Sequence, residues 1–456
     1  MASPKFHIAI VGGGIGGLAA AICFARHFDI SVEIFEAAKE FSEVGAGIGV
    51  WPRIWRILKL LGLDEDLERL HAVRPTHDLS DVFIFRKADQ LIGQDFYKLT
   101  TRGSFLRYHR ADVLQVLIDH LPERFPTHFN RRLATYRRLR NGKIELQFRD
   151  GLVTTCDILI GSDGVKSVVR QTMLAEQAHE AGVGGRASEA IAILRSAKPR
   201  WTGILAYRAL VPTERLLAYR DAHPEDKIRV PEHNSIPVMY MGQHVNVVVY
   251  PISSGKFINV GAFHANEELA GTPFPGPWVT HVSNQELLDA HAGWESELQA
   301  ILKCIDCPSR WAVHTVPKLK SWTHKRVVLL GDAAHAMSPQ QASGAGQAIE
   351  DAFLLSTLLG HKSTNLSNVQ TALQIYDTVR RPIAEEVAER SLENGRLFGL
   401  QLAGFDADDE PDRLPEIGEA VKQNWSWTWM TTVDSSVQKA VNMLESVHLG
   451  ITKSHL

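Results

Sequence analysis

The sequence predicts an α/β fold in which a parallel sheet is interleaved with an antiparallel one and followed by helices. Three observations carry this. The run Phe6 to Val11 is rich in β-branched residues and leads through a glycine loop into a helical stretch. Two later apolar runs, Asp157 to Gly161 and Arg326 to Leu330, each end in a turn built from Gly and Asp. Between those two runs, residues 200 to 310 contain strand-like segments at Gly203–Leu210, Ser235–Met241, His244–Tyr250 and Phe257–Phe263. Buried parallel strands read as continuous apolar runs, whereas half-buried antiparallel strands alternate.

The first element binds a dinucleotide by its pattern. Gly12-Gly13-Gly14-Ile15-Gly16-Gly17 has the spacing Gly12-x-Gly14-x-x-Gly17 directly after a strand and before the helix Leu18–Phe28. Gly12 permits the tight turn. Gly14 lets the backbone approach a pyrophosphate, and Gly17 lets the helix close on the strand. The helix start then offers amides and a positive dipole end to phosphate. A second strand, Ser31 to Phe35, ends at Glu36, an acceptor placed for a ribose diol. This Rossmann-like unit does not by itself separate FAD from NAD.

The composition fits such a protein. Of 456 residues, 45% are hydrophobic and 22% charged, and the net charge is −3. That balance gives no reason to expect a nucleic-acid partner or an anionic membrane. No window reaches the roughly 18 apolar residues of a membrane span. Four cysteines are too few for a disulfide framework. A cytoplasmic protein, monomer or homodimer, is expected. The final Ser454-His455-Leu456 only loosely resembles a peroxisomal Ser-Lys-Leu ending.

Two further segments select the cofactor. Gly161-Ser162-Asp163-Gly164 is followed by Ser167 and Arg170 at a helix start. Gly331-Asp332-Ala333-Ala334-His335 leads to Ser343-Gly344-Ala345-Gly346 and the helix Gln347–Leu359. An Asp at a strand's carboxyl end sits where open α/β sheets bind ligands. Small residues at 343 to 346 let a helix start approach a flat ring and favour negative charge there.

Together with Gly12–Gly17, these segments resemble the three fingerprints of single-component (group A) FAD-dependent aromatic hydroxylases. Within that family, Gly45-Ala46-Gly47-Ile48-Gly49, His109-Arg110-Ala111-Asp112 and Ile349-Glu350-Asp351-Ala352 are similar to the salicylate-hydroxylase-like, fungal-type branch. The resemblance runs from about residue 6 to residue 390. It implies a fold like that of para-hydroxybenzoate hydroxylase. It also implies that Glu36 binds the adenosine ribose, that Gly49, Arg110 and Asp163 serve the cofactor, that Asp332 meets the ribitol or pyrophosphate, and that Gly344 and Ala345 lie beside the ring. NADH or NADPH would visit as a transient reductant, since no second glycine–strand–helix unit is present. Oxygen would react through a flavin C4a-hydroperoxide to hydroxylate a phenolic or benzoate-type aromatic, with decarboxylation where the attacked carbon bears a carboxylate. The alternatives are epoxidation of a prenyl or terpenoid alkene, a flavin halogenase, or a flavin-binding protein without turnover.

Two residues are candidates for the catalytic side. Arg208 and Tyr250 stand in β-rich runs and resemble the Arg and Tyr with which fungal dearomatising phenol hydroxylases hold a phenolate. A flavin hydroperoxide is an electrophile, so stabilising a phenolate raises the nucleophilicity of the ring. His314 is read as structural. Pro52-Arg53 and Thr315-Val316 depart from the family pattern. No metal spacing appears. Cys304-Ile305-Asp306-Cys307 reads as structural thiols, and Gly182-Val183-Gly184-Gly185 as a loop. Trp425-Ser426-Trp427-Thr428-Trp429 is expected to pack on the core or another subunit, and Pro382 to kink the helix Gln370–Arg390. The expected organisation is FAD-binding over 1–75, 109–180 and 311–365, a substrate-sheet insertion at 76–108, a substrate domain at 181–310, and a helical region at 366–456.

Overall fold

The computed structural model describes residues 4–42, 47–70, 75–226, 228–232, 235–448 and 450. Gly45, Ala46 and the C-terminal Ser454-His455-Leu456 lie outside the described residues.

One sheet has six strands, in the order Thr323–His324, Val327–Leu329, Ile158–Gly161, Phe6–Val11, Ile30–Phe35 and Thr127–His128. Its middle pairings are parallel, and they set Val11 beside Gly161 and Gly161 beside Leu329. The three glycine-bearing turns therefore leave the same carboxyl edge, although more than 300 residues separate the first from the last. Those strands are almost wholly buried, which is why they lack alternation. The helices Ile15–Phe24 and Gly344–Gly360 pack on one another beside this sheet. A Cβ on Gly16 would come within 2.8 Å of Leu330 and 3.2 Å of Ala348, so glycine sets that close approach.

The second sheet has eight strands, in the order Val279–His281, Ser309–Thr315, Arg200–Pro212, Phe257–Ala265, Val245–Ile252, Val238–Gly242, Leu79–Lys87 and Gln94–Arg102. All its pairings are antiparallel except that between Val238–Gly242 and Leu79–Lys87. Its last two strands come from a segment inserted early in the chain, which makes the two sheets interleaved in sequence. The strand Ser309–Thr315 stays with this sheet across position 310, so residues 311–315 belong here and not to the parallel sheet. A small meander, Leu133–Arg138, Ile144–Phe148 and Val153–Cys156, flanks the first sheet. The last described elements are helices.

Three features singled out in the sequence take definite places. Helix Val369–Phe398 carries Pro382 in its interior, with Val379, Ala384 and Val387 buried on either side of it. Gly182 and Val183 close the helix Val168–Val183, and only Gly184 and Gly185 form the turn into Ala187–Ser196. Arg53, which departs from the family pattern, is buried: its guanidinium donates to both oxygens of Glu350, at 2.7 and 3.0 Å.

That pair belongs to a buried ionic network. Arg380 donates to Glu350 at 3.0 Å and to Asp351 at 2.9 Å. Asp351 also accepts from the Gly331 amide at 3.0 Å and lies 2.6 Å from His335 Nε2. The network ties the Gly331–Asp332 turn to two long helices. Breaking one partner of a buried ionic set costs about 3–5 kcal/mol, because the other charge is left uncompensated. Arg380→Met is therefore expected to lower the thermal midpoint clearly in a melting scan. A midpoint equal to wild type would show that the network adds no stability.

Among the described residues no helix is long and apolar enough to cross a membrane, and no cluster of side chains could hold a metal ion. The four cysteines are free.

Candidate active site

A cavity of about 460 Å³ lies between the carboxyl edge of the parallel sheet and one face of the antiparallel sheet. Pairing across the second sheet builds its floor. Arg208 lies opposite Gly261, Gly261 opposite Val248, and Val248 opposite Met239. Two residues further along their strands, Tyr250 and Asn259 are opposite one another. Side chains two apart share a face, so all of these point into the cavity. Gly261 leaves the middle of the floor open.

The far wall comes from the first sheet. Gly14 opens the helix Ile15–Phe24 without a side-chain cap, and Ser343 opens Gly344–Gly360 likewise. Both helix starts line the cavity, as do Asp332, Gly344, Ala345, Gly49 and Arg110. Gly12 has φ +109, and a Cβ there would overlap the Ser162 carbonyl; a Cβ on Gly17 would overlap the Gly12 carbonyl. Gly331, with φ 61, turns the chain sharply so that Asp332 starts a short helix at the cavity edge. Glu36 ends its strand beside the glycine loop, and its carboxylate accepts from the Gly13 and Ala38 amides, each at 2.7 Å.

Asp163 is placed differently from the others. Its carboxylate turns into the start of helix Val168–Val183, accepting from Ser167 Oγ, from the Val168 amide at 2.7 Å and from the Val169 amide at 3.1 Å. It shapes the turn whose neighbours Ser162 and Gly164 line the cavity. Arg170 is a staple. It donates to the carbonyls of Val165, Ala197 and Ala333, at 2.6, 3.1 and 2.8 Å, and so joins the second glycine turn to the third.

The electrostatics of the floor are positive. Burial and the nearby Arg110 both push the Arg208 guanidinium below its usual range, and Tyr250 opposes them. Among the described residues, no carboxylate is among the charges that act on Arg208. Its guanidinium stands over Trp311, 5.1 Å from the ring centroid. Burial pushes Tyr250 up to about 12, although Arg208 and Arg107 pull the other way. The phenol is therefore neutral near pH 7 and can donate. A Cβ on Gly47 would overlap the Tyr250 hydroxyl, which places that group against the two-stranded ribbon carrying Gly49.

An aromatic wall completes the cavity. Phe83, Phe105, Phe398 and Trp425 all line it. Phe83 stacks on Trp425 with centroids 5.2 Å apart, and Phe105 packs on Trp51 at 4.2 Å. These residues come from three distant parts of the chain, and no spacing in the sequence marks them. The Trp425 segment does pack on the core. His314 lies outside the cavity, stacked on Trp278 at 3.5 Å, in keeping with a structural role.

The site can hold a dinucleotide. Two uncapped helix starts at one cavity suit a pyrophosphate at one and a negatively charged ring at the other, and the glycines leave room that side chains would fill. Fold and site together define a flavin-dependent oxidoreductase with a second, largely antiparallel sheet facing the dinucleotide site. The chain belongs to the FAD binding domain family, which matches residues 5–211 and 282–391, and is an FAD-dependent aromatic monooxygenase. It is 36% identical to a salicylate hydroxylase of Pseudomonas putida, over 96% of this chain and 94% of that one. It is 30% identical to a 6-methylsalicylate 1-monooxygenase of Aspergillus terreus, over 98% and 94% of the two chains. A solved salicylate hydroxylase substrate complex superposes with a TM-score of 0.79 at 28% identity, covering 96% of this chain and 98% of that one.

Proposed function

We propose that the protein hydroxylates a small aromatic carrying both a phenol and a carboxylate. NADH or NADPH is the reductant and dioxygen the co-substrate, and carbon dioxide is lost where the attacked carbon bears the carboxylate. The observation that carries this reading is Arg208, a cation in the cavity floor with no carboxylate of a described residue among the charges acting on it. Tyr250 lies on the same sheet face, two strands away. The names of the salicylate and methylsalicylate relatives support the same substrate class.

FAD, when bound, supplies two-electron transfer from the nicotinamide and the activation of dioxygen. The chain's own residues do the rest. Arg208 pairs with the anionic substituent, since a desolvated charge needs a partner. The Tyr250 hydroxyl donates to the developing phenolate and strengthens as that charge grows. Phe83, Val248, Met239 and Phe263 give the ring an apolar bed that excludes water. An alkene epoxidase would not need the Arg–Tyr pair, and the charge of the floor favours the phenol.

The test is a panel of hydroxybenzoates and matched phenols without the carboxylate, with NADH and NADPH, scored by hydroxylated product and oxygen uptake. Hydroxybenzoates should be turned over in preference. A flavin-loaded protein that forms product from none of them would sink the reading. Tyr250→Phe is expected to lower kcat/KM about tenfold to a hundredfold, the worth of one hydrogen bond to a charged group. Because Tyr250 titrates only at about 12, it should add no inflection to the pH–rate profile from about pH 6 to pH 10. An inflection in that range that vanished in Tyr250→Phe would show that the tyrosine ionises.

A further inference from the structure

The loop before helix Gly344–Gly360 is held from behind by the C-terminal helices. Gln341 is fully buried. Its carbonyl oxygen accepts from the indole N–H of Trp51 and of Trp425, each at 3.2 Å, and from Ser343 Oγ at 2.9 Å. Its side-chain oxygen accepts from the indole of Trp427 at 3.2 Å, and its side-chain nitrogen donates to the Arg390 carbonyl at 3.3 Å. Its amide donates to Ser391 Oγ at 3.1 Å. All four polar atoms of one residue are thus fixed, two by indoles and two by the helix Val369–Phe398.

Two consequences follow for the loop. Ala342 has φ 49, a left-handed conformation that a non-glycine residue keeps only where its surroundings over-determine it. Ser343 stands where a serine ordinarily caps the helix start, but its hydroxyl is spent on the Gln341 carbonyl, and no side chain caps the helix. Gly344 and Ala345, the first residues of this uncapped helix, line the cavity. Trp425 itself lines that cavity.

We propose that Gln341 is a positioning residue for the flavin, and that Trp425 and Trp427 lock it so that the uncapped start of helix Gly344–Gly360 keeps its geometry toward the flavin ring. The proposal rests on the protein's being an FAD enzyme. In this view the C-terminal helices tune the cofactor and do more than cover the core. A helix start held near the ring favours the anionic reduced flavin. Loosening it should disfavour reduction without releasing FAD.

The test uses the flavin-loaded protein and needs no turnover. Trp425→Phe and Trp427→Phe remove the N–H donor together with the five-membered ring of each indole and keep one aromatic ring in place, and Trp294→Phe makes the same contraction elsewhere. Flavin reduction is followed by equilibration with redox dyes. At a fixed potential, the ratio of reduced to oxidised flavin should fall about threefold to tenfold in each variant. Trp294→Phe, which deletes an indole packed in the other domain against Gly242, should leave the ratio at the wild-type value. If Trp425→Phe does not fold, Trp427→Phe and Ser343→Ala decide the matter by the same measurement. Wild-type ratios in the loaded Gln341-side variants, or an equal shift in Trp294→Phe, would overturn the proposal. Failure of every hydroxybenzoate in the substrate panel would leave this result intact, since it reads the flavin alone.

Discussion

Arg208→Ala is expected to lower kcat/KM for a hydroxybenzoate by about thirtyfold to several thousandfold while leaving the FAD content unchanged. The size comes from burial. A carboxylate carried into the cavity loses its water, and without a cation it keeps an uncompensated charge, at a cost of about 2–5 kcal/mol. The contrast with a neutral phenol is the sharper part. A phenol without the carboxylate loses only the packing against Arg208 and its Trp311 support, so the preference between the two substrates should narrow by most of the same factor. Arg208→Lys should recover part of the loss, because it restores the charge but not the planar two-donor geometry. Product formation by both substrates at matched flavin content checks this. An equal loss on both would show that Arg208 shapes the cavity and does not read the carboxylate.

The legible part of the site was the part written in local chemistry. Gly12, Gly17 and Gly331 occupy backbone positions that only a small residue tolerates, and each belongs to the turn or helix start that follows an apolar strand. Sheet pairing then brings those runs side by side, so motifs far apart in sequence become one edge. Arg208 and Tyr250 were readable as polar residues in β-rich runs. What the sequence did not show arises from tertiary packing. Trp425, Phe83 and Phe398 meet only because the C-terminal helices and the early insertion close over the sheet. Gln341 has an unremarkable neighbourhood in sequence, and its importance lies in donors that arrive from residues 51, 425 and 427. Arg53 stood out only as a departure from the family pattern, and its buried partner Glu350 lies 297 positions away, where no spacing marks it. Asp163 was legible as a special position, but its carboxylate is satisfied within its own turn.

Gly17→Ala is expected to yield a folded protein that no longer retains FAD, with affinity reduced by about a hundredfold or more. A Cβ at Gly17 would overlap the Gly12 carbonyl and approach Ser162 Oγ to 2.8 Å. Neither neighbour can yield cheaply. The Gly12 backbone is fixed by its own positive φ and by the Ser162 hydroxyl, which donates to the Gly12 carbonyl at 2.9 Å. The helix Ile15–Phe24 must therefore lift from the strand. Its start at Gly14 moves with it, and the amides that a pyrophosphate needs are lost to the cavity. Overpacking of this kind costs about 1–3 kcal/mol in a core, while a bound phosphate loses several charge-assisted hydrogen bonds at once, so cofactor binding should fail before folding does. Gly151→Ala separates the two effects. Gly151 also has a positive φ, +88, but nothing lies within 4 Å of its Cβ position. It should cost about 1–2 kcal/mol of backbone strain and keep its flavin. The ratio of flavin to protein absorbance and a titration of the apoprotein with FAD read both variants. Full flavin content in Gly17→Ala would mean that the loop accommodates the methyl group, and that the close crossing of helix and strand is not what holds the dinucleotide.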